Sequence, residues 1–412
     1  MFISLSSHNV IQYLQQAGLC SSEEGVCTDS ELPQSSKKNS NLLVTLAGNR
    51  KLLVKQERCT DNDANPHDFF NEWLFHQLLK RYPALGSISA IASLVVHFDE
   101  QKSILVRNYL KEYIEVANFY QQNLCFPTAI ATTIGNIVGK LHRTTFNCRE
   151  YRDFMKTAPE GQFRYQFYNP AQGIGSIEPE TIGMIPINAL NFYRLYQSDE
   201  SLEAAIAELS YEWNPCCLIH NDLKLDNILV HSRWEQLDNC LVRLIDWEAC
   251  TWGDPAFDLG TLIASYLKIG LESLVLDPTF ELEESLQLAA IPLEILQPSI
   301  LALTQAYLES FSIILEYRQD FLMRVIQFAG LILIHQVEEK IKQQQSFDNS
   351  GTCIFQIAKS LLTKPQESVR TVFGISETEI IKPFAKLAKF SLPQNQDNLL
   401  RIYYHKTRLR GF

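Results

Sequence analysis

The 412 residues contain no C-x-x-C pair and no Cys/His cluster of zinc-finger spacing, so the ten cysteines do not form a metal or redox framework. They are scattered, and cysteine in apolar surroundings packs as a small hydrophobe. The adjacent pair Cys216-Cys217 lies in an apolar run and is expected in the core. Such usage fits a reducing cytoplasm, the expected location. The N-terminus, MFISLSSHNVIQYLQQAG, lacks the basic start and continuous apolar stretch of a signal peptide. A long hydrophobic run is also missing. The most apolar late stretch, Phe321 to Val337, holds Arg324, Gln327, His335 and Gln336, and is expected to be too short and too polar to span a membrane. No internal repeat and no long low-complexity linker is found. Positive charge is in deficit: 36 Lys and Arg against 47 Asp and Glu leave a net charge of −11. An acidic chain has no bulk attraction for phosphate backbones, so neither nucleic acid nor a membrane is an expected partner.

What remains is ordinary for a soluble globular protein, with 46% hydrophobic and 20% charged residues. At about 150 residues per domain, the length implies roughly two or three units. A short helix is expected over 9–17. Strands follow at 25–32, 42–46 and 51–57, the last two joined by Gly48-Asn49, a tight-hairpin signal. A helix is expected over 66–80, with Asn65 as its N-terminal cap, Pro66 at its first position, and Phe69, Phe70, Trp73, Leu74 and Leu78 as its apolar stripe. Residues 94–98 and 103–110 read as a second hairpin. Beyond Pro127 the period changes to that of a helix, with Ile130, Ile134, Ile137, Val138 and Leu141 on one face. Residues 157–180, within an insertion of about 151–215, are irregular. Further helices are expected at 201–210, across 257–345 with breaks near Asp277-Pro278 and Pro298, and at 352–363 and 377–388. The class is therefore α+β. A small strand-rich unit with one long helix spans 1–110, a larger mainly helical unit spans 111–390, and a basic-aromatic tail spans 391–412.

The chemistry is concentrated in two segments. Cys216–Val230, CCLIHNDLKLDNILV, holds His220, Asp222, Lys224 and Asn227 in a polar loop between strands expected at 216–219 and 228–230. In LVRLIDWE, residues 241–248, Asp246 ends a third apolar strand, so its carboxylate emerges at the strand's mouth. These residue types suit phosphoryl transfer, where positioning and charge neutralisation dominate. Asp222 can orient an attacking hydroxyl and take its proton as the new bond forms. Asn227 and Asp246, one neutral oxygen donor and one anionic, suit Mg²⁺, which keeps waters and phosphate oxygens among its ligands. Lys224 can neutralise charge on the transferring group.

The order H-N-D-L-K-L-D-N resembles the protein-kinase catalytic loop, with base and metal Asn five apart. I-D-W-E followed by G-D-P-A-F-D-L-G (Gly253–Gly260) resembles the aminoglycoside phosphotransferase and choline kinase branch more closely. That resemblance implies a two-lobed protein-kinase-like fold, with a small antiparallel-sheet N-lobe and a larger helical C-lobe. It also implies ATP and Mg²⁺ as cofactors. It implies that Lys55, in LLVKQE, contacts the nucleotide phosphates and pairs with Glu72 in the following helix. It makes Asn108-Tyr109-Leu110 the hinge that binds adenine. It makes His220 and Asp258 braces of the loop, and Asp254 a helix cap. His142 reads as core packing.

There are two departures from the pattern. The phosphate-loop position, PQSSKKNSN at 33–41, has no glycine, so backbone N–H groups and the hydroxyls of Ser35 and Ser36 are the candidate phosphate contacts. Lys224 stands where the small-molecule branch often has His, and Lys is typical of Ser/Thr protein kinases. The acceptor therefore stays open between a small hydroxylated metabolite and Ser or Thr of a peptide precursor, as in the kinase-like subunits of some lanthipeptide synthetases. A non-catalytic binding module disagrees with the presence of Lys55, Glu72, Asp222, Asn227 and Asp246 together. Composition and motifs do not indicate an oligomeric state.

Overall fold

The computed structural model describes residues 4–21, 27–28, 39–57, 68–92, 95–156, 187–237, 242–274, 288–344 and 347–384. Ser35, Ser36, the whole 157–180 segment, Asp277-Pro278 and the 391–412 tail fall outside them. The chain forms two compact units. The first comprises Met1–Cys125, Thr144–Tyr168 and Asn214–Asp258; the second comprises Phe126–Arg143, Asn169–Trp213 and Leu259–Phe412.

All ten described strands belong to the first unit. β1 (Cys27–Thr28), β2 (Asn39–Thr45), β3 (Lys51–Glu57), β4 (Val95–Asp99) and β5 (Ile104–Asn108) make an antiparallel sheet in the order β1-β2-β3-β5-β4. The β2–β3 turn uses Gly48 and Asn49, both at positive φ, as the dipeptide predicts. Side chains alternate across a sheet, and register decides which share a face. Leu42, Val44, Leu52, Val54, Ile104 and Val106 take one face, packed with Val10, Tyr13 and Leu14 of helix α1 (Val10–Gln16). The intervening positions take the other. Lys55 lies opposite Leu105, and Leu53 opposite Arg107, so Lys55 and Arg107 are diagonal neighbours on the second face. Helix α2 (Asp68–Arg81) packs there, with its Phe69 against Leu105 and Val95.

Two smaller sheets complete the unit: β6 (Tyr113–Glu115), β8 (Ile228–His231) and β9 (Val242–Leu244) in the order β6-β8-β9, and β7 (Cys217–Ile219) with β10 (Thr251–Gly253). Cys216, Cys217 and Cys250 are buried, and burial pushes the Cys217 and Cys250 thiols up, so they remain protonated packing groups.

The described part of the second unit is helical. The helix Thr128–Thr145 buries Ile130, Ile134, Val138 and Leu141 as its period predicts, while Ile137 is half-buried. His142 is buried in this unit, with Nδ1 2.9 Å from the Tyr307 hydroxyl. Three expectations are corrected. Pro298 does not break its helix, which runs Leu293–Ser310; burial of Leu296, Ile300 and Leu303 outweighs the hydrogen bond that proline cannot donate. The helix expected over 377–388 stops at Ile381, because Pro383 cannot continue it. The apolar stretch from Phe321 lies in a 24-residue helix, Phe321–Gln344, long and apolar enough to cross a membrane; 72% of its apolar window is buried within the protein. It packs against the helices Asn349–Thr363 and Pro365–Phe373 as the unit's core helix.

Gly135 and Gly139 let Leu293–Ser310 approach Thr128–Thr145 closely. A Cβ at Gly135 would collide with the Leu303 carbonyl oxygen, and one at Gly139 would lie 2.7 Å from that of Tyr307. An exposed helical Gly→Ala change normally stabilises by up to about 1 kcal/mol. Here the obstacle is backbone, which cannot swing aside. Gly135→Ala is expected to destabilise by about 1–3 kcal/mol, read as a lower urea midpoint at unchanged slope.

Candidate active site

Every candidate site residue that the structure describes belongs to the first unit. The loop between β7 and β8 is held from below by Asp258. Its buried carboxylate accepts the His220 N–H at 2.7 Å and the Asn221 N–H at 2.9 Å. Asn221 has a φ of 66°, a left-handed conformation that asparagine tolerates better than most residues. His220 is buried, and its Nε2 lies 2.8 Å from the Ile245 carbonyl oxygen, bracing the loop against the end of β9. Asp254 caps the following helix by accepting the Ala256 N–H at 3.0 Å, and it also accepts the Asn214 N–H at 3.2 Å. These positions match their sequence assignments.

Asn227 Nδ2 donates both to the Asp222 carbonyl at 2.8 Å and to Asp222 Oδ2 at 2.9 Å. With Nδ2 committed twice, Oδ1 is the atom left to face a cation. Lys224 Nζ lies 3.1 Å from Asp222 Oδ2, and both side chains are 43% exposed. The Asn227 carbonyl accepts the Ile245 N–H at 3.0 Å, so the two chemical segments are tied together one residue before Asp246.

Asp246 sits at φ 62°, ψ 63°, left-handed, at the mouth of β9. Lys55 Nζ pairs with its Oδ1. Arg107 Nη1 reaches the same oxygen at 3.0 Å. Burial pushes this carboxyl up, but Lys55 and Arg107 outweigh it and hold it well below the usual carboxylate range. Glu72, on α2, is fully buried, and neither of its oxygens accepts a hydrogen bond. Its ion-pair neighbours are Arg107 Nη1 and His76 Nε2, each at 4.0 Å. Burial pushes the Glu72 carboxyl up, against the opposing pull of Lys55 and Arg107.

The expected Lys55–Glu72 pair is therefore corrected. Lys55 is close enough to act on Glu72 electrostatically, but its ion pair is with Asp246, and Arg107 takes the place beside Glu72. The reason lies in the register: Arg107 brings a second cation to the Lys55 face, and two cations share two carboxylates. Of the hinge residues, Asn108 ends β5 and the Tyr109 N–H donates to the Lys51 carbonyl at 2.9 Å. That amide is already committed to the sheet.

Sequence reasoning missed Arg107 and Phe75. A charged residue inside the apolar strand ILVRN was the available signal for the first. Phe75 is buried on α2 and stacks on Trp247, with centroids 4.0 Å apart and planes at 16°, while Asn71 Nδ2 donates to the Glu248 carbonyl at 3.2 Å. These contacts fix α2 to the turn that carries Asp246.

Among the described residues no group of three or more His, Cys, Asp or Glu is placed to hold a metal. An Asn–Asp pair completed by water and phosphate oxygens is what Mg²⁺ uses, and the donor set fits it. Asn227 Oδ1 is left open by its own amide's bonds, and both cations take only one oxygen of Asp246.

Residues 33–281 match the model of the phosphotransferase enzyme family. The chain belongs to that family. It is accordingly a phosphotransferase, a kinase with a hydroxyl group as acceptor, and its α+β class is that of the kinase-like fold. No curated protein matches the chain. Similar solved structures include choline kinase LicA from Streptococcus pneumoniae, at 16% identity and a TM-score of 0.45, covering 86% of this chain and 98% of that one. A choline/ethanolamine kinase family protein from Mesorhizobium loti has 13% identity and a TM-score of 0.48, covering 90% and 100%. Aminoglycoside phosphotransferase APH(2'')-Ib has 11% identity and a TM-score of 0.44, covering 87% and 99%.

His76 offers a pH test of the α2 packing. Burial, with Lys80 and Arg107, pushes its pKa from 6.5 down to about 3. Neutral His76 thus contributes stability that is complete above about pH 6.5 and is lost as pH falls towards 3, with a slope of at most about 1.4 kcal/mol per pH unit. Glu72, pushed up, acts with the opposite sign, so the informative quantity is the difference from His76→Gln. Between about pH 7 and pH 5 the wild type should lose more of its urea midpoint than His76→Gln does.

Proposed function

We propose that this phosphotransferase uses ATP and Mg²⁺ and moves the γ-phosphoryl group to a hydroxyl of a small metabolite. The observation that carries the reading is the tie between the two chemical segments. Asn227 holds Asp222 with its side chain and the residue before Asp246 with its carbonyl, so the base and the metal ligands are joined by direct hydrogen bonds.

Each residue then has a physical task. Asp222 orients the acceptor hydroxyl and takes its proton as the oxygen–phosphorus bond forms and the bond to ADP breaks. Proton transfer late in bond formation avoids the pKa gap between a carboxylate and a ground-state alcohol. Lys224, paired with the same carboxylate, supplies positive charge beside the transferring group. Asn227 and Asp246 would hold Mg²⁺, which when bound neutralises charge on the nucleotide phosphates. Lys55 serves the same phosphates, and the Asn108–Leu110 segment receives adenine through backbone groups other than the Tyr109 N–H. The I-D-W-E and G-D-P-A-F-D-L-G resemblance supports a small hydroxylated acceptor over a peptide.

The test is transfer from γ-labelled ATP with Mg²⁺ into a native cell extract resolved by size. Label is expected in the metabolite fraction. Asp222→Asn should lower it by at least about 10²-fold while nucleotide binding persists. Label confined to the peptide or protein fraction would replace the metabolite by a peptide acceptor. Undiminished turnover in the variant would remove Asp222 from the mechanism.

A further inference from the structure

Arg107 belongs to none of the motifs that identify the family, yet it occupies the centre of the site. It is buried at 7% exposure on β5, the strand that leads into the hinge segment. Its Nη1 lies 3.0 Å from Asp246 Oδ1 and 4.0 Å from Glu72 Oε1. Four charges thus share one face of the sheet: Lys55 and Arg107 against Glu72 and Asp246. The balance is even, but the bonding is not. Lys55 and Arg107 both serve Asp246, whereas Glu72 is fully buried with two oxygens that accept no hydrogen bond. The other group within ion-pair distance of Glu72 is His76, which burial keeps neutral.

Removing a counter-ion from a buried carboxylate is costly, because the charge has lost its hydration and keeps nothing in return. Had Lys55 been the sole cation here, drawing it onto a phosphate would strand Asp246 and Glu72 together. Arg107 removes that penalty. Its planar fork can serve two carboxylates at once, whereas the lysine ammonium is a point charge on a flexible stem that can be redirected.

We propose that Arg107 is a positioning residue for the nucleotide phosphates: it remains as the shared counter-ion of Asp246 and Glu72 and thereby releases Lys55 to the phosphates. This rests on the nucleotide-binding reading of the site. The role is electrostatic, so it should act on the phosphates and not on the base.

The test is calorimetric binding of Mg·ATP and of adenosine to the full chain, as wild type, Arg107→Met and Arg107→Lys. Arg107→Met is expected to weaken Mg·ATP binding by at least about tenfold and to leave adenosine binding within about twofold. Arg107→Lys, which keeps the charge, should recover most of the loss. If Arg107→Met does not fold, Arg107→Gln removes the charge at similar length and is read in the same way. An equal change in Mg·ATP and adenosine would overturn the proposal in favour of a packing role at the base pocket. No change in either, or failure of the lysine variant to recover Mg·ATP binding, would also overturn it. A wild type that binds neither ligand would instead refute the nucleotide reading on which the proposal stands.

Discussion

The carboxylate of Asp246 is the constraint on which the rest of the first unit is organised. A charge at the mouth of a short buried strand is affordable only with opposite charge beside it. That charge comes from two strands of the large sheet, Lys55 on β3 and Arg107 on β5. Delivering both requires the β3–β5 register observed, which puts the two cations diagonally on the face that does not pack on α1. A one-residue slip between β3 and β5 would put the two cations on opposite faces and turn one of them into the α1 core. The same need accounts for α2: Phe69 seals the face above Lys55, Glu72 enters the charge cluster, and Phe75 stacks on the residue after Asp246.

The loop carrying Asp222 obeys a second constraint, the satisfaction of its own backbone. A polar loop between buried strands must find partners for its amides. Asp258 takes two of them, His220 reaches the Ile245 carbonyl, and the Asn227 carbonyl accepts the Ile245 N–H, so the loop is bonded to the segment that carries Asp246. Residues whose types suggest catalysis are therefore divided between those that face out, Asp222 and Lys224, and those that hold the loop, His220 and Asp258. The first pair is 43% exposed and the second is buried.

Much of this was legible in the sequence because the loop's chemistry is local. Asp222, Lys224 and Asn227 lie within six residues, and the strands on either side are apolar enough to be read directly. The hairpin at Gly48-Asn49 and the helix face at Ile130, Ile134, Val138 and Leu141 were legible for the same reason: their signals are short-range periods or turn residues. What could not be read was anything fixed by register between distant strands. Arg107 and Lys55 are 52 positions apart in sequence and diagonal in space, so the charge inside ILVRN was visible but its place beside Lys55 emerged only from the sheet. β6 and β10 escaped because three residues are too few to show alternation and neither lies in an apolar run like those that mark β7 and β9. The continuity of the helix through Pro298 is likewise a tertiary effect, since burial of its neighbours overrides a local breaker.

The central claim is that Asp246, held by two cations through one oxygen, keeps its second oxygen for the divalent ion of a metal–nucleotide complex. Water-proton relaxation with Mn²⁺ and ATP measures this directly, comparing wild type with Asp246→Asn. The account predicts a ternary complex of protein, Mn²⁺ and ATP in the wild type, and at least about tenfold weaker Mn²⁺ binding in that complex for Asp246→Asn. Equal Mn²⁺ affinity in the two proteins would contradict it.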